Sequence, residues 1–352
     1  MKKSGSKARR TTIKDIAKAA GVDPSTVTRA LQGSERVKPA TREKIAGLAA
    51  DMGYVPNMAA RTLVKSRSDL IGVVIPDMTN PFFRDLGQGI EDEAAKHDLR
   101  VIFNDTRGVE SAERDAVNLL LELKIDGLIV PMARSPQDYY DSLARSLGDA
   151  VPIVHVNREE APHQVSCDRV GGSIQVMQHL IGLGHRRIGF VRGPTGPGAD
   201  PKMVAYRRAL DQAGIDYDPE LIFSFDGTLA SSGAIVEQLL ALEQLPTAVF
   251  AHNDVNAIAM IHEMRDRDIT VPGDISIAGH DDIRLAAYVD PPLTTVGWPM
   301  YELGQQSVRY LYSLGHGATP EEPKMSAPEL VVRESTGSPK AARLAQTSSS
   351  SA

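Results

Sequence analysis

The 352-residue sequence predicts a mixed α/β protein: an N-terminal all-α helix-turn-helix head, then a core of two doubly wound parallel-sheet subdomains. Three observations predict it. Thr12–Gly33 has the punctuation of two short helices around a tight turn. From Leu70 onward, apolar strand-like runs alternate with helical stretches. The charge is split: residues 1–67 hold 15 Lys/Arg against 5 Asp/Glu, and the remainder holds 24 against 40.

Within Thr12–Gly33, Thr12 and Asp15 stand in the spacing of a capping box. Ile13, Ile16, Ala17 and Ala20 then form one apolar face, and Gly21 stops the helix where a Cβ would be strained. Asp23 caps a second helix with Pro24 in its first turn. Val27, Ala30 and Leu31 are its inner face, and Pro24, Ser25, Thr26, Thr28 and Arg29 point outward. An ordinary αα-hairpin buried in a core shares this pattern. The net charge of +10 over residues 1–67 favours a head that meets a polyanion. Pro39 opens a third helix in which Ile45, Leu48, Ala49 and Met52 close the small core, and Gly53 ends it.

Residues 1–10 carry five basic and no acidic residues and read as a disordered basic arm. The head spans 11–56 and a hinge helix and linker 57–68. Asn57 is a good N-cap, yet two turns of helix are marginal in water unless a partner orders them. Leu63 stands beside Arg61, Lys65 and Arg67. It is either a linker leucine packing on its own domain or an apolar wedge for the DNA minor groove.

Strand-like runs at Leu70–Ile75, Val101–Phe103, Gly127–Val130 and Ile153–Val156, with helices at Phe82–Lys96 and Ala112–Leu123 between them, read as βαβ units. A second set lies at Ile188–Val191, Ile222–Phe225, Ala248–Ala251 and Ile275–Ala278. Its helices are expected near Gly171–Leu183, Met203–Ala213, Gly233–Leu242 and Val255–Arg267. The first subdomain is assigned to 69–166 with a return segment near 297–327, and the second to 167–296 with about 328–336. The small polar tail, 337–352, reads as disordered. The lone cysteine, Cys167, excludes an intrachain disulfide and reads as a buried small hydrophobe. With no long apolar run, no membrane is expected, and the protein reads as cytoplasmic.

Ligands of open parallel sheets bind at the strands' carboxyl ends. Just past the predicted strands lie Asp77, Asn80, Phe82, Phe83 and Asp105 in the first subdomain, and Arg192, Asn253, Asp254, Asp281 and Asp282 in the second. This set suits a small polyhydroxylated ligand in a cleft. Singly, Asn253 and Asp281 read equally well as helix caps. Gly193–Gly198 fits neither a dinucleotide fingerprint nor a P-loop, Gly87-Gln-Gly89 reads as a packing feature, and His179, His185 and His280 lack metal-ligand spacing. No enzyme chemistry, cofactor or metal is implied.

The motifs TIKDIAKAAGVDPSTVTRAL, GYVPNMAARTLVKSRSDLIGVVIPD, LGHRRIGFVRGP, FAHNDVNAIAM, VPGDISIAGHDD and PPLTTV together resemble the lactose-repressor (LacI) family of bacterial transcription regulators over about residues 11–336. The resemblance implies a periplasmic-binding-protein-like core, a homodimer on a palindromic double-stranded DNA operator, and a sugar or sugar-acid effector. Pro24, Ser25 and Arg29 then match base-reading positions, with Arg29 a bidentate guanine reader. Thr12, Thr26, Thr28, Asn57 and Arg61 join the DNA contact, and Leu63 matches the minor-groove leucine. Phe82, Phe83, Asn253 and Asp281 match effector positions, joined by Asp77, Asn80 and Arg192. Where the family commonly has arginine this chain has Lys202, a point charge that leaves an anionic effector open. His280 replaces an aromatic and makes pH-sensitive effector binding an expectation. A cytoplasmic solute-binding protein without regulatory DNA binding is the alternative.

Overall fold

The computed structural model describes residues 11–31, 33–54, 67–158, 160–194, 200–319, 321, 323 and 325–340. The chain divides into two compact units, Met1–Ser68 and Asp69–Ala352.

The head is three helices: α1 (Ile13–Ala20), α2 (Pro24–Leu31) and α3 (Pro39–Asp51). Thr12 and Asp15 form the expected reciprocal capping box, and Gly21 takes the left-handed conformation at φ +71°. Asp23 Oδ1 accepts from the Ser25 amide at 2.8 Å. Ile16, Ala17, Val27, Ala30, Val37, Ile45 and Ala49 make one small buried core. Two side chains of α3 tie down carbonyls left over at helix ends: Lys44 donates to Ala20 at 3.2 Å and Arg42 to Gly33 at 2.9 Å. One expectation fails. Leu31 is 38% exposed, because α2 ends there and its last turn has left the three-helix contact.

In the second unit, β1 (Leu70–Ile75), β2 (Arg100–Asp105), β3 (Gly127–Pro131), β4 (Ile153–Val156) and β5 (Gln164–Val165) form a five-stranded sheet in the order β2-β1-β3-β4-β5. All its pairings are parallel. The helices α4 (Phe82–Lys96), α5 (Glu110–Glu122) and α6 (Gln137–Leu147) connect the first four strands. A second parallel sheet repeats the plan, with β6 (Ile188–Arg192), β7 (Ile222–Ser224), β8 (Ala248–Phe250) and β9 (Ser276–Ala278) in the order β7-β6-β8-β9. Its helices are α7 (Arg169–Gly182), α8 (Pro201–Gln212), α9 (Leu229–Leu240) and α10 (Asp254–Arg265). Each sheet reverses its strand order beside its first strand, the switch point at which such folds open a crevice.

The return of the chain is where structure adds to sequence. β10 (Thr295–Gly297) and β11 (Glu329–Val331) pair antiparallel, and between them α11 (Met300–Gly315) packs along α4 and against β3 to β5. The two helices touch backbone to backbone. A Cβ on Gly89 would collide with the Tyr301 carbonyl, and one on Gly304 with the Leu86 carbonyl. Gly89 is thus a packing residue, as the helical pattern around it suggests. α6 goes unpredicted although Tyr140, Leu143 and Leu147 stand at helical spacing on one face and pack on the core: the stripe is short, the other residues are mostly polar, and Tyr140 is the one fully buried.

The tail is also corrected at its start. Residues 337–340 are held against the second sheet: the Gly337 amide donates to Ser276 Oγ at 3.0 Å, and Lys340 Nζ lies 2.6 Å from Asp274. Residues 341–352 and 1–10 lie outside the described residues.

Candidate functional site

The head presents one face without apolar burial. On α2, Pro24, Ser25 and Arg29 are exposed and Thr26 and Thr28 half-buried. The Thr28 hydroxyl bonds back to the Pro24 carbonyl at 3.1 Å. Thr12 is exposed, its hydroxyl donating to Asp15 Oδ2 at 2.6 Å. Asn57, Arg61 and Leu63 lie outside the described residues.

The second candidate lies at the carboxyl ends of the core strands. Lys202, at the start of α8, is 4% exposed and donates its ammonium to the His252 carbonyl. Burial pushes its pKa down, and the neighbouring Asp281 carboxylate opposes that shift. Asp281 is pushed up by the same burial, opposed by Lys202. The two sit close enough to compensate one another in a dry site, so neither acts as a lone charge. Arg169, at the start of α7, adds a second positive charge near both.

His280 Nδ1 lies 2.9 Å from Asp281 Oδ1. Its ring lies 4.9 Å from that of Trp298 and 6.3 Å from that of Phe250. Burial, with Lys202 and Arg169 nearby, holds His280 well below its ordinary pKa. The ring is therefore neutral near pH 7, which overturns the expectation of a pH-sensing histidine. Its other ring nitrogen, Nε2, is buried and has no partner among the described residues. His252 is likewise neutral through burial, with Nδ1 unpartnered among the described residues. Its ring fills the space that a Cβ on Gly193 would take.

Asp254 holds this arrangement from behind. Its carboxylate accepts from the Ile283 amide at 2.8 Å and from the Thr295 hydroxyl at 2.5 Å. Its amide donates to the His280 carbonyl at 2.9 Å. Burial raises its own pKa to about 6. These bonds clamp the 280–283 loop, in which Asp281 and Asp282 take φ of 124° and 49°. Asp282 turns away to Arg333 at 2.7 Å, so the neighbouring carboxylates have different partners, as expected for adjacent residues.

The crevice itself is a pocket of about 190 Å³ that includes Phe82, Asp281, Arg284, Trp298 and Met300 in its lining. It draws on both halves of the core, and Arg284 reaches Asp85 at 3.6 Å. Farther along, Arg134 after β3 donates to the Pro194 carbonyl at 2.9 Å.

Of the residues expected here, Phe82 and Asp281 line one pocket and Lys202 lies beside them. Phe83 packs edge-on against Phe82, centroids 5.1 Å apart, and is buried behind it. Three others do local work, the alternative reading of such side chains. Asp77 Oδ1 accepts from the Thr79 amide at 2.8 Å, Asn80 Oδ1 from the Phe82 amide at 3.0 Å, and Asn253 Oδ1 from the Asn256 amide at 2.9 Å. Arg192 is exposed, 4.0 Å from Asp200. Sequence reasoning missed Trp298, His252 and Arg169. Trp298 had a signal: it is the only tryptophan in the chain and follows a strand.

Residues 12–57 match the family model described as "Bacterial regulatory proteins, lacI family", and residues 177–336 match the "Periplasmic binding protein-like domain". The HTH-type transcriptional repressor CytR of Escherichia coli (strain K12) is 34% identical over 331 residues, 92% of this chain and 96% of that protein. The lac repressor dimer bound to operator and the anti-inducer ONPF superposes with a TM-score of 0.82 at 26% identity, covering 94% of this chain and all of that one. The transcriptional regulator CelR in complex with cellobiose gives 0.67 at 29% identity, covering 93% and 100%. With a head of this build, two parallel-sheet halves in this order and relatives matched over nearly their whole length, the chain belongs to the LacI family of bacterial transcription regulators.

Proposed function

We propose that this protein is a homodimeric, sequence-specific DNA-binding repressor, working in the cytoplasm, whose operator affinity is set by a small effector in the core crevice. Pro24, Ser25 and Arg29 are assigned to the major groove, with Arg29 forking onto a guanine and Ser25 discriminating where Pro24 cannot hydrogen-bond. Thr12, Thr26, Thr28, Asn57 and Arg61 are assigned to positioning contacts and Leu63 to the minor groove. A two-fold dimer then reads an inverted repeat. The lac repressor dimer bound to operator supports this reading by its likeness to the chain. No reaction is assigned to the crevice.

The single observation that carries effector control is the cluster of buried Lys202 and His280 with half-buried Asp281 and Trp298 at the strand ends of a chain that also bears a helix-turn-helix. It also narrows the effector. Lys202 already has the His252 carbonyl and the Asp281 charge beside it, so it is no free receptor for an anion. Carboxylate, neutral imidazole and indole face suit a neutral polyhydroxylated molecule over a sugar acid. The cellobiose complex of the related CelR agrees with that class.

Trp298 is a built-in reporter. Titration of the full chain with neutral sugars and glycosides is expected to move its emission in a saturable way for one of them, and the same compound is expected to change operator affinity. Lys202→Met is expected to weaken that binding at least about tenfold, the equivalent of 1.4 kcal/mol. Saturation by a sugar acid alone would contradict the neutral assignment, and an emission change with operator affinity untouched would contradict effector control.

A further inference from the structure

A second cavity, of about 220 Å³, lies away from the crevice. It sits between α6 and the amino-terminal ends of β4 and β5, with Leu314 from the last turn of α11 in its wall. The crevice lies at the opposite, carboxyl ends of the strands.

Two polar atoms of its lining residues are buried without partners among the described residues. Gln137 Nε2 donates to Asp141 Oδ1 at 2.8 Å, which leaves Gln137 Oε1 buried and without a partner among the described residues. His155 is 3% exposed, and its Nδ1 likewise has no partner among the described residues. The Tyr140 ring holds that imidazole edge-on, centroids 4.7 Å apart, while its own hydroxyl turns away to Glu113 at 2.8 Å. A buried polar atom without a partner costs free energy, and where it is an acceptor, as the Gln137 oxygen is, a donor-bearing guest is favoured.

Charge selects the sign of that guest. Among the described residues Asp141 is the only carboxylate in the lining and no lysine or arginine lines it; the Arg158 guanidinium, 5.6 Å from the Tyr140 ring centre, stands outside it. Burial and the nearby Arg158 push His155 down to about 3, so its ring is neutral. A further titratable group of the lining, His163, has Nδ1 3.4 Å from the Tyr310 hydroxyl. The rest of the wall includes Val151, Ile153 and Leu314. An ammonium group has three donors and no acceptor, the complement of this set.

We infer that this cavity is a second small-molecule site that takes a primary arylalkyl- or alkylammonium ion. The nitrogen donates to Asp141, the Gln137 carboxamide oxygen and His155, and the hydrocarbon lies on Val151, Ile153 and Leu314. The site is independent of the effector crevice and adds a second chemical input to the same regulator.

The test titrates the full chain calorimetrically with benzylammonium at moderate salt, against benzyl alcohol and benzoate. Saturable binding with Kd on the order of 1 mM or tighter is expected for the cation. The alcohol is expected to bind at least about tenfold more weakly and benzoate not at all. Asp141→Asn is expected to weaken the cation about tenfold. Ala144→Phe, from an exposed position on α6 that borders the cavity, is expected to block it sterically. Unchanged Trp298 emission and operator binding show that both variants fold. Absence of saturable binding, equal affinity for the alcohol, or binding that survives both substitutions would overturn the inference.

Discussion

Arg29→Ala is expected to weaken binding to the cognate inverted repeat by about 1–3 kcal/mol per half-site, hence roughly 2–6 kcal/mol for the dimer. At the low end that is about thirty-fold. The side chain is exposed on α2 and takes no part in the head's core, which Ile16, Val27 and Ile45 build. The loss is therefore one of recognition and leaves folding intact. It should relax discrimination at one base position in each half-site and leave Trp298-monitored effector affinity unchanged. Comparison of cognate and scrambled duplexes by anisotropy measures it. An equal loss on both duplexes would make Arg29 a phosphate contact and move specificity to Ser25.

Gly304→Val is expected to cost about 3 kcal/mol or more of stability, among the largest effects available to one substitution in the core. The new Cβ meets the Leu86 carbonyl and lies 2.9 Å from the Ile90 amide nitrogen. Neither can rotate away as a side-chain tip would. Gly89→Val meets the Tyr301 carbonyl on the other side of the same contact and should behave alike. Gly47 is the control: it lies inside α3 with nothing within 4 Å of an added Cβ. Gly47→Ala is expected to raise head stability by about 0.5–1 kcal/mol through helix propensity and lost unfolded-state freedom. Urea unfolding of the three variants decides. A Gly304→Val loss within 1 kcal/mol would mean that α4 and α11 can slide apart at little cost.

How far the sequence was legible follows from where the determining interactions are. Thr12, Asp15, Gly21 and Asp23 act within a few residues of themselves, so their capping and turning roles are visible in one dimension. The strands β1, β4 and β6 are buried along nearly their whole length and read as continuous apolar runs. β5 has only two residues, and β10 pairs with β11 across more than thirty residues, so local pattern carries no trace of either. α6 is polar on most of its surface, and its stripe of Tyr140, Leu143 and Leu147 is only two turns long.

The crevice divides along the same line. Phe82 and Asp281 follow strands closely enough for the strand-end rule to find them, whereas Lys202, ten residues past β6, is reached only through the family resemblance. Trp298 enters from the returning segment and Arg169 from the start of α7, so no local rule joins them to the others. For His280 the residue was visible but its state was not. Isolated imidazole titrates near neutrality, and only three-dimensional burial beside Lys202 and Arg169 makes this one neutral. Asn80 and Asn253 show the converse: each lies past a strand, yet the Asn253 amide oxygen caps the helix that follows and that of Asn80 closes a local turn onto the Phe82 amide.

The central claim, that the head reads operator DNA for a core that senses a small molecule, is tested most directly by selecting bound duplexes from a random pool with the purified full-length protein. The affinity of the winner is then followed against salt. The expected result is an inverted repeat whose log affinity falls linearly and steeply with log salt, since each neutralised phosphate releases counterions at a slope of about −0.9. No enriched sequence, with and without added cell metabolites, together with affinity indifferent to salt, would contradict the account and make the chain a solute-binding protein with an incidental basic head.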